Sequence, residues 1–228
     1  MLEMLTPFLS APSLGMALAG YLLGCINGAL AASKLFYHDD VRKHGSGNAG
    51  LTNFYRTYGA KYAWCVIAVD LLKAALAVGL GGLLFGSVTG KYFMGLWVVV
   101  GHMFPVFYKF KGGKGILCSG MTLIMIDWRV ALVGWGVFLL LWATTKYVSL
   151  GSVCAAISFP IMTWVVFRVP AELAGHDEFM WMFVLSLLIA GLVLWAHREN
   201  IKRLLTGTES KFQWHKGDPR KKKGAEGS

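Results

Sequence analysis

The side chains that could bind an anion fall into three polar segments, and the first covers residues 43–56, KHGSGNAGLTNFYR. Its glycines, Gly45, Gly47 and Gly50, leave backbone N–H groups open to an anion, and Arg56 can hold a phosphate through two hydrogen bonds. The candidate ligand-binding residues here are Ser46, Gly47, Asn48, Thr52, Asn53 and Arg56. This first polar segment predicts a phosphate-binding loop, with a plain flexible connection as the alternative.

The spacing of these glycines also matches a dinucleotide-binding fingerprint. Gly45, Gly47 and Gly50 follow the pattern GxGxxG, and Asp70 comes at the customary distance of about 20 residues. The fingerprint requires a β-strand before the glycines. No strand is predicted there, and Asp70 lies in an apolar stretch. We therefore reject a dinucleotide site.

The second polar segment, residues 101–115, ends in two lysines and three glycines: Lys111, Gly112, Gly113, Lys114 and Gly115. Ammonium groups beside backbone without side chains are suited to holding a phosphate or an oxyanion. The segment is not a nucleotide-binding P-loop, since GxxxxGK[ST] would need glycine at position 108 and serine or threonine at position 115. The alternative is a basic turn of the kind common in cytoplasmic loops.

The third polar segment, residues 197–211, follows the last apolar stretch. If the helix continues, His197 and Asn200 lie one turn apart on one face, where an imidazole and a carboxamide could orient a hydroxyl group. Glu209 is predicted to be a structural acceptor for a basic or backbone partner. Ser149 begins another apolar stretch, where the positive end of the helix dipole would favour an anion. A basic helix at the membrane surface is the alternative.

The elements that must position these segments are apolar helices. Hydrophobic residues make up 56% of the 228 residues and charged residues 15%, whereas soluble domains carry about 25% charged residues. We predict an all-α integral membrane protein, a single domain over residues 1–228, with about seven transmembrane helices. The apolar stretches cover roughly 11–37, 62–86, 92–108, 115–126, 130–145, 150–167 and 179–196, of which the fourth and fifth are short.

The distribution of lysine and arginine predicts the orientation of the chain. Eighteen of the 22 basic residues lie in the connections on one side and three on the other, and membrane proteins keep basic residues in the cytoplasm. The N-terminus is expected outside, and the three polar segments and the C-terminus inside. Such a basic face suits anionic lipids or phosphorylated substrates; a nucleic-acid partner is not expected. Residues 212–228 are predicted to form a flexible basic tail.

Two charged residues lie within the second apolar stretch. Asp70 and Lys73 are three residues apart, so they can pair and reduce the cost of burying each charge, and we predict a structural role for both. The four cysteines fall in different apolar stretches, without a CxxC pair or a cysteine–histidine cluster. The sequence therefore predicts no metal site and no cofactor. An obligate protein partner is not expected either.

The motifs GSGNxGxTNxxR, GHxFPxFxxFKGGKG and HxxNIxRLxxGxE, in this order, resemble those of the bacterial acyl-phosphate:glycerol-3-phosphate acyltransferases, the PlsY family. The resemblance implies a multi-pass enzyme of the bacterial inner membrane that transfers a fatty acyl group from acyl phosphate to the 1-position of sn-glycerol 3-phosphate. The products would be lysophosphatidate and inorganic phosphate, in the first step of phospholipid biosynthesis. Acyl phosphate, glycerol 3-phosphate and membrane lipids are the partners it implies.

The resemblance also implies roles for single residues, and it has departures. The implied substrate contacts are Ser46 and Arg56 in the first segment, with Lys111, Gly112, Gly113 and Gly115 for glycerol phosphate in the second. His197 and Asn200 would be critical for activity, Glu209 would maintain the site, and Ser149 matches a serine at the start of a span. Ala49, Leu51 and the run Ile116-Leu117-Cys118 differ from the usual pattern, and only Cys118 replaces a hydroxyl.

The implied chemistry leaves two routes for the proton of the attacking hydroxyl group. The HxxxxD pair of other glycerolipid acyltransferases is absent. On the first route His197, the conventional base in reach, takes the proton. Activity would then show a step near pH 6–7, close to the usual histidine pKa. Alternatively a phosphate oxygen of the donor takes the proton while the protein positions both substrates, the route we favour. From another class, a small anion transporter would also place glycines and cations on a phosphate, but no two spans form a repeat.

Overall fold

The computed structural model describes residues 10–174 and 176–214, and these form a bundle of α-helices with no β-strand among them. Two 3₁₀ turns, Val41–Lys43 and Val106–Tyr108, lie in the connections. The helices are α1 (Ala11–Cys25), α2 (Gly28–Tyr37), α3 (Leu51–Tyr58), α4 (Ala63–Phe85), α5 (Val88–Met103), α6 (Ile116–Ile126), α7 (Trp128–Thr145), α8 (Val148–Ala174), α9 (His176–Ala196) and α10 (Arg198–Leu205). The predicted all-α class is confirmed.

Within the described part of the chain, five helical segments are long and apolar enough to cross a membrane, with α1 and α2 counted together. The other two apolar stretches form α5, with 16 residues, and α6, with 11 residues. At 1.5 Å per residue these two helices are about 24 and 16 Å long, against a hydrocarbon core of about 30 Å. The chain is thus a multi-pass membrane protein, while the count of seven spans stays a prediction.

The first apolar stretch, which the sequence suggested was one span, is broken between α1 and α2. The side chain of Asn27 accepts a hydrogen bond from the Leu30 N–H at 3.0 Å, and so caps the start of α2. The carbonyl oxygens of Gly24 and Ile26 at the end of α1 accept hydrogen bonds from Lys73 Nζ in α4. The lysine inside the second span thereby satisfies backbone groups that the break leaves without helical partners.

Helix α5 is central, and it packs against α1, α4, α6 and α9. Its contact with α1 depends on glycine, because a methyl group on Gly24 would overlap the carbonyl oxygen of Val98, and one on Gly101 would overlap that of Tyr21. Small residues allow this close backbone approach between membrane helices. The second polar segment therefore begins at the end of a tightly held helix.

The C-terminal residues of the described part are packed against the bundle. The Phe212 and Trp214 rings lie between 5.2 and 6.3 Å, centroid to centroid, from those of Tyr55 and Trp142. The tail that the sequence predicted to be flexible thus starts with an ordered portion. Residues 215–228 of that tail lie outside the described residues.

Candidate active site

The carboxylate of Glu209 joins the third polar segment to the start of α8. Its Oε1 accepts hydrogen bonds from Ser149 Oγ and Asn200 Nδ2, both at 2.7 Å, and its Oε2 accepts one from Arg203 Nε at 2.7 Å. Burial alone would raise the pKa of this carboxyl group, but the three donors hold the pKa below its usual value. Glu209 therefore stays ionised and fixes three side chains, the geometry of a structural acceptor.

A tight turn at Gly207 brings Glu209 back towards α10. Gly207 has a φ of +68°. The Thr208 N–H donates to the Arg203 carbonyl oxygen at 2.8 Å, and the Gly207 N–H donates to that of Leu204 at 3.3 Å. This is a helix-ending motif that requires a left-handed residue, which glycine supplies without steric cost. The spacing of glycine and glutamate in the third segment reflects this one turn.

Lys114 links the second polar segment to the third, because its Nζ donates a hydrogen bond to Asn200 Oδ1. Asn200 thus bridges a cation and the Glu209 carboxylate. Burial lowers the pKa of the Lys114 ammonium to about 8, the positive charge of Arg203 lowers it as well, and Glu209 opposes both effects. Lys114 is mostly charged at pH 7, and a bound anion would restore its full charge.

His197 lies at the joint between α9 and α10 and is 3% exposed. Its Nδ1 donates to the Val193 carbonyl oxygen at 2.8 Å, which leaves Nε2 as an acceptor. Burial lowers the pKa of the imidazole to about 4, and the charge of Lys114 acts in the same direction. If His197 were the base, a pKa near 4 would place the step in activity well below pH 6–7. The helix does not continue unbroken from α9, which ends at Ala196, into α10, which begins at Arg198.

Asn53 organises the first polar segment. Its side chain is buried; Oδ1 accepts from the Ser46 N–H at 3.0 Å, and Nδ2 shares its two hydrogens among the carbonyl oxygens of Val41, His44 and Asn48, each at 3.0 Å. The carboxamide is used entirely within the loop. The prediction that Asn53 is a donor to a ligand is therefore not supported.

The other candidates of the first polar segment keep accessible atoms. They are Ser46 and Gly47, which are exposed, and Asn48, Thr52 and Arg56, which are half-buried. Arg56 Nη2 donates to the Ser210 carbonyl oxygen at 3.1 Å. Burial lowers the pKa of the Arg56 guanidinium, Glu209 opposes this and Arg203 reinforces it, although an arginine still keeps its charge. Arg56 thus faces the third segment.

Gly112 and Gly113 pack against the end of α5. Their N–H groups donate to the carbonyl oxygens of Met103 and His102, each at 3.1 Å, so neither amide is open to a phosphate in the way the sequence suggested. A methyl group on Gly112 would overlap the His102 carbonyl oxygen, and one on Gly113 would overlap His102 Nε2 and lie 2.7 Å from the Ala49 carbonyl oxygen. These glycines permit close packing of the segment.

Lys111 and Gly115, on either side of this contact, differ in their surroundings. Lys111 is exposed, and its Nζ makes no hydrogen bond to any residue that the structure describes. Its carbonyl oxygen accepts from Arg42 Nη1 at 3.0 Å; Arg42 also donates to that of Tyr108 at 2.8 Å and pairs with Asp40 at 2.6 Å. Arg42, which directly precedes the first segment, thus binds the second segment, a role that no local pattern indicates. Gly115, with a φ of +77°, precedes α6.

A cleft of about 690 Å³ lies between the first and third polar segments. It is lined by charged, hydroxyl and amide groups from both segments and from the residues after Glu209: Gly45, Ser46, Arg56, Arg203, Glu209, Ser210, Lys211 and Gln213. Sequence reasoning did not select Arg203. Its position three residues after Asn200 and six before Glu209 was the available signal.

A buried ion pair supports the second polar segment. Lys73 Nζ lies 2.9 Å from Asp70 Oδ1 and 2.9 Å from His102 Nδ1, and all three side chains are buried. The pair expected from the spacing is present, and it includes His102. Asp70, His102 and Cys118 also bring possible metal-ligand atoms within 4.8 Å of one another. The ammonium of Lys73 lies in that cluster and would repel a cation.

Comparison with known proteins adds independent information. The chain resembles the glycerol-3-phosphate acyltransferases of Thermoanaerobacter sp. (strain X514), 40% identical over 196 residues, and of Geobacillus kaustophilus (strain HTA426), 40% identical over 197 residues. Both alignments cover 86% of this chain, with 93% of the first relative and 94% of the second.

Two crystal structures of PlsY (YgiH), an integral membrane glycerol 3-phosphate acyltransferase, share the fold. The glycerol 3-phosphate form gives a TM-score of 0.76 at 35% identity, and the lysophosphatidic acid form 0.74 at 34%. Each comparison covers 89% of this chain and 96% of the other. A family model described as glycerol-3-phosphate acyltransferase matches residues 14–207. The chain therefore belongs to the glycerol-3-phosphate acyltransferase family.

Proposed function

We propose that this membrane acyltransferase transfers a fatty acyl group from acyl phosphate to the 1-hydroxyl of sn-glycerol 3-phosphate, giving lysophosphatidate and inorganic phosphate. The observation that carries the proposal is the convergence of three cations, Arg56, Lys114 and Arg203, around the Glu209 carboxylate. Arg56, Arg203 and Glu209 line the polar cleft. The related crystal structures are described as the glycerol 3-phosphate and lysophosphatidic acid forms. These molecules correspond to the acceptor and the acylated product.

Positive charge is required because both substrates carry a phosphate group. Two like unit charges 4 Å apart repel by about 4 kcal/mol near a protein surface. Arg56 can hold a phosphate through paired N–H groups, and Lys114 adds a point charge whose pKa rises again as the anion binds. Glu209 accepts hydrogen bonds from Arg203 and Asn200 and so holds both side chains in place. The cluster thus supplies the counter-charge that brings the two substrates together.

An apolar groove between α6, α7, α8 and α9 suits the acyl chain. Its lining includes Ile116, Leu123 and Trp135. Val193 also lines it, and the Val193 carbonyl oxygen accepts the hydrogen bond from His197 Nδ1. The groove therefore adjoins the polar site at His197. A donor with its tail in this groove would present its acyl phosphate beside His197, at the edge of the polar site.

The transfer needs no covalent enzyme intermediate, because phosphate is already a good leaving group. The glycerol hydroxyl oxygen attacks the acyl carbonyl carbon, the bond from that carbon to the phosphate oxygen breaks, and the hydroxyl proton passes to a base. With a pKa near 4, His197 is a weak base. We therefore favour a phosphate oxygen of the donor as the base, with His197 Nε2 accepting a hydrogen bond that orients the hydroxyl group.

The proposal includes a site on the cytoplasmic face of a bacterial inner membrane, which the basic residues of the three segments support. In a variant without the four native cysteines, Ser46→Cys should resist a membrane-impermeant thiol reagent in intact cells. The same cysteine should react in inverted membrane vesicles. Labelling from outside intact cells would contradict this orientation.

Purified protein tests the reaction directly. Acyl phosphate and sn-glycerol 3-phosphate should yield equal amounts of inorganic phosphate and lysophosphatidate, and acyl-CoA should not replace the donor. Robust turnover with acyl-CoA alone would contradict the proposed donor. Uptake of glycerol 3-phosphate into vesicles without any product would indicate the anion transporter, which the comparisons do not support.

A further inference from the structure

We infer that residues 210–214, the C-terminal strap, form the outer wall of the glycerol 3-phosphate cleft, and that Phe212 is a positioning residue that holds Arg56 ready for the phosphate. The inference rests on the proposed function. It concerns residues that follow both the end of the family match at residue 207 and the last residue of the third motif, Glu209.

The strap is fixed at its middle. The Phe212 N–H donates to the Lys146 carbonyl oxygen at 2.8 Å. The Phe212 ring stacks on Tyr55 with centroids 5.2 Å apart and meets Trp142 edge-on at 5.7 Å, and Trp214 packs edge-on against Phe212 at 5.1 Å. The four rings connect α3, which carries Tyr55, to the end of α7. The strap is therefore anchored between α3 and the end of α7.

The strap also supplies the hydrogen-bond acceptor of Arg56. The Ser210 carbonyl oxygen accepts from Arg56 Nη2 at 3.1 Å. The positive charges of Lys114 and Arg203 act on the same guanidinium, and like charges repel. Glu209 attracts the guanidinium as well, but attraction between charges does not fix an orientation, whereas the hydrogen bond to the Ser210 carbonyl oxygen does. The strap thus keeps Arg56 in place before the phosphate arrives.

The position of the strap indicates that it affects the binding of glycerol 3-phosphate rather than that of acyl phosphate. Ser210, Lys211 and Gln213 line the polar cleft together with Ser46 and Arg56. The apolar groove that suits the acyl chain lies elsewhere, between α6, α7, α8 and α9. A soluble substrate without an apolar tail would occupy the polar cleft. Loosening the strap should therefore weaken the binding of glycerol 3-phosphate and leave the binding of acyl phosphate unchanged.

Steady-state kinetics of the full-length enzyme test this. In Phe212→Ala the KM for glycerol 3-phosphate should rise about three- to tenfold, because Arg56 must be ordered at each binding event, while kcat and the KM for acyl phosphate stay within about twofold. Phe212→Tyr keeps the ring and should restore the parent KM. Trp128→Ala controls for the loss of an exposed aromatic ring. Trp128 is 71% exposed, as Trp214 of the strap is 74% exposed, but it lies at the N-terminal end of α7, whereas the strap packs against the C-terminal end. This variant should behave as the parent.

The outcomes separate the two levels of the proposal. A folded Phe212→Ala enzyme with an unchanged KM for glycerol 3-phosphate would overturn the role of the strap, and so would an equal loss in kcat and in both KM values. Should Phe212→Ala fail to fold, Trp214→Ala removes only the outer ring and should raise the same KM to a smaller extent; no rise there would also overturn it. A parent enzyme that forms no lysophosphatidate would refute the proposed function instead.

Discussion

The pKa of about 8 for Lys114 predicts a loss of activity at mildly alkaline pH. A neutral amine offers no charge to a phosphate, so deprotonation should weaken the binding of glycerol 3-phosphate. The phosphate itself does not titrate in this range, since its second pKa is about 6. His197, with a pKa of about 4, is neutral throughout. Lys114 is thus the group of the described site that we expect to titrate between pH 7 and 9.

The size of the effect follows from the charged fraction of Lys114. With a pKa of about 8, roughly 90% of the side chain is charged at pH 7 and roughly 10% at pH 9. If only the charged form binds the phosphate productively, kcat/KM should fall about tenfold between these values. The fall should lie in KM rather than in kcat, because bound phosphate raises the pKa of Lys114 again and keeps it charged in the complex.

Initial rates of phosphate release, measured against glycerol 3-phosphate concentration at each pH, provide the assay. Spontaneous hydrolysis of acyl phosphate is subtracted from reactions without enzyme. Lys114→Arg should remove the alkaline fall, because an arginine stays charged throughout this range. Lys111→Arg is the matched control in the same segment, since Lys111 is exposed and makes no contact with Asn200. It should retain the fall.

A flat parent profile through pH 9, or a fall that persists unchanged in Lys114→Arg, would refute this reasoning. A second variant tests the electrostatic cause. Arg203→Gln removes a neighbouring positive charge and frees the Glu209 carboxylate, and both changes should raise the pKa of Lys114. The alkaline fall should then move to higher pH.

Substitutions at three further positions test other parts of the site. His197→Gln should retain much of the activity and His197→Ala less, since glutamine keeps an acceptor for the hydroxyl group; a folded but inactive His197→Gln enzyme with unchanged substrate affinity would make the imidazole the base. Gly113→Ala should lower the free energy of unfolding by about 1–3 kcal/mol, because its methyl group would overlap His102; a variant as stable as the parent in thermal unfolding, with only a raised KM, would contradict the packing role. Glu209→Gln should lower the free energy of unfolding by about 1.5–3 kcal/mol, because an amide has only one oxygen and cannot accept hydrogen bonds from both Ser149 and Arg203. An unchanged melting temperature would argue against this.

The sequence predicted which segments meet but not how each residue is used. Glycine, lysine and amide side chains in three motifs indicated one anion site, and the contact of Lys114 with Asn200 brings two of these motifs together. Asn53 was misinterpreted because a carboxamide that binds a ligand and one that binds the loop's own carbonyl groups have the same sequence signature. Gly113 was misinterpreted for a similar reason, since bare backbone can face a ligand or a neighbouring helix.

The C-terminal strap shows a second limit of sequence reasoning. Basic residues after position 214 indicated a flexible tail, and composition is a fair guide when no partner surface exists. Here Phe212 and Trp214 find partners in Tyr55 and Trp142, which lie far away along the chain. Contacts between such distant residues leave no local pattern, so only the folded structure reveals them.

The hydrogen bonds from Lys73 to the end of α1 bear on how the chain enters the membrane. A lysine at the centre of an inserting helix costs about 2.5–3.5 kcal/mol, and its ion pair with Asp70 in the same helix reduces this cost. The free carbonyl groups of Gly24 and Ile26 would also be unfavourable in lipid. In the folded protein, the Lys73 ammonium group donates hydrogen bonds to these two carbonyl groups. We therefore expect α1 and α4 to leave the insertion machinery as a pair, with α1 retained at its edge until α4 has been synthesised.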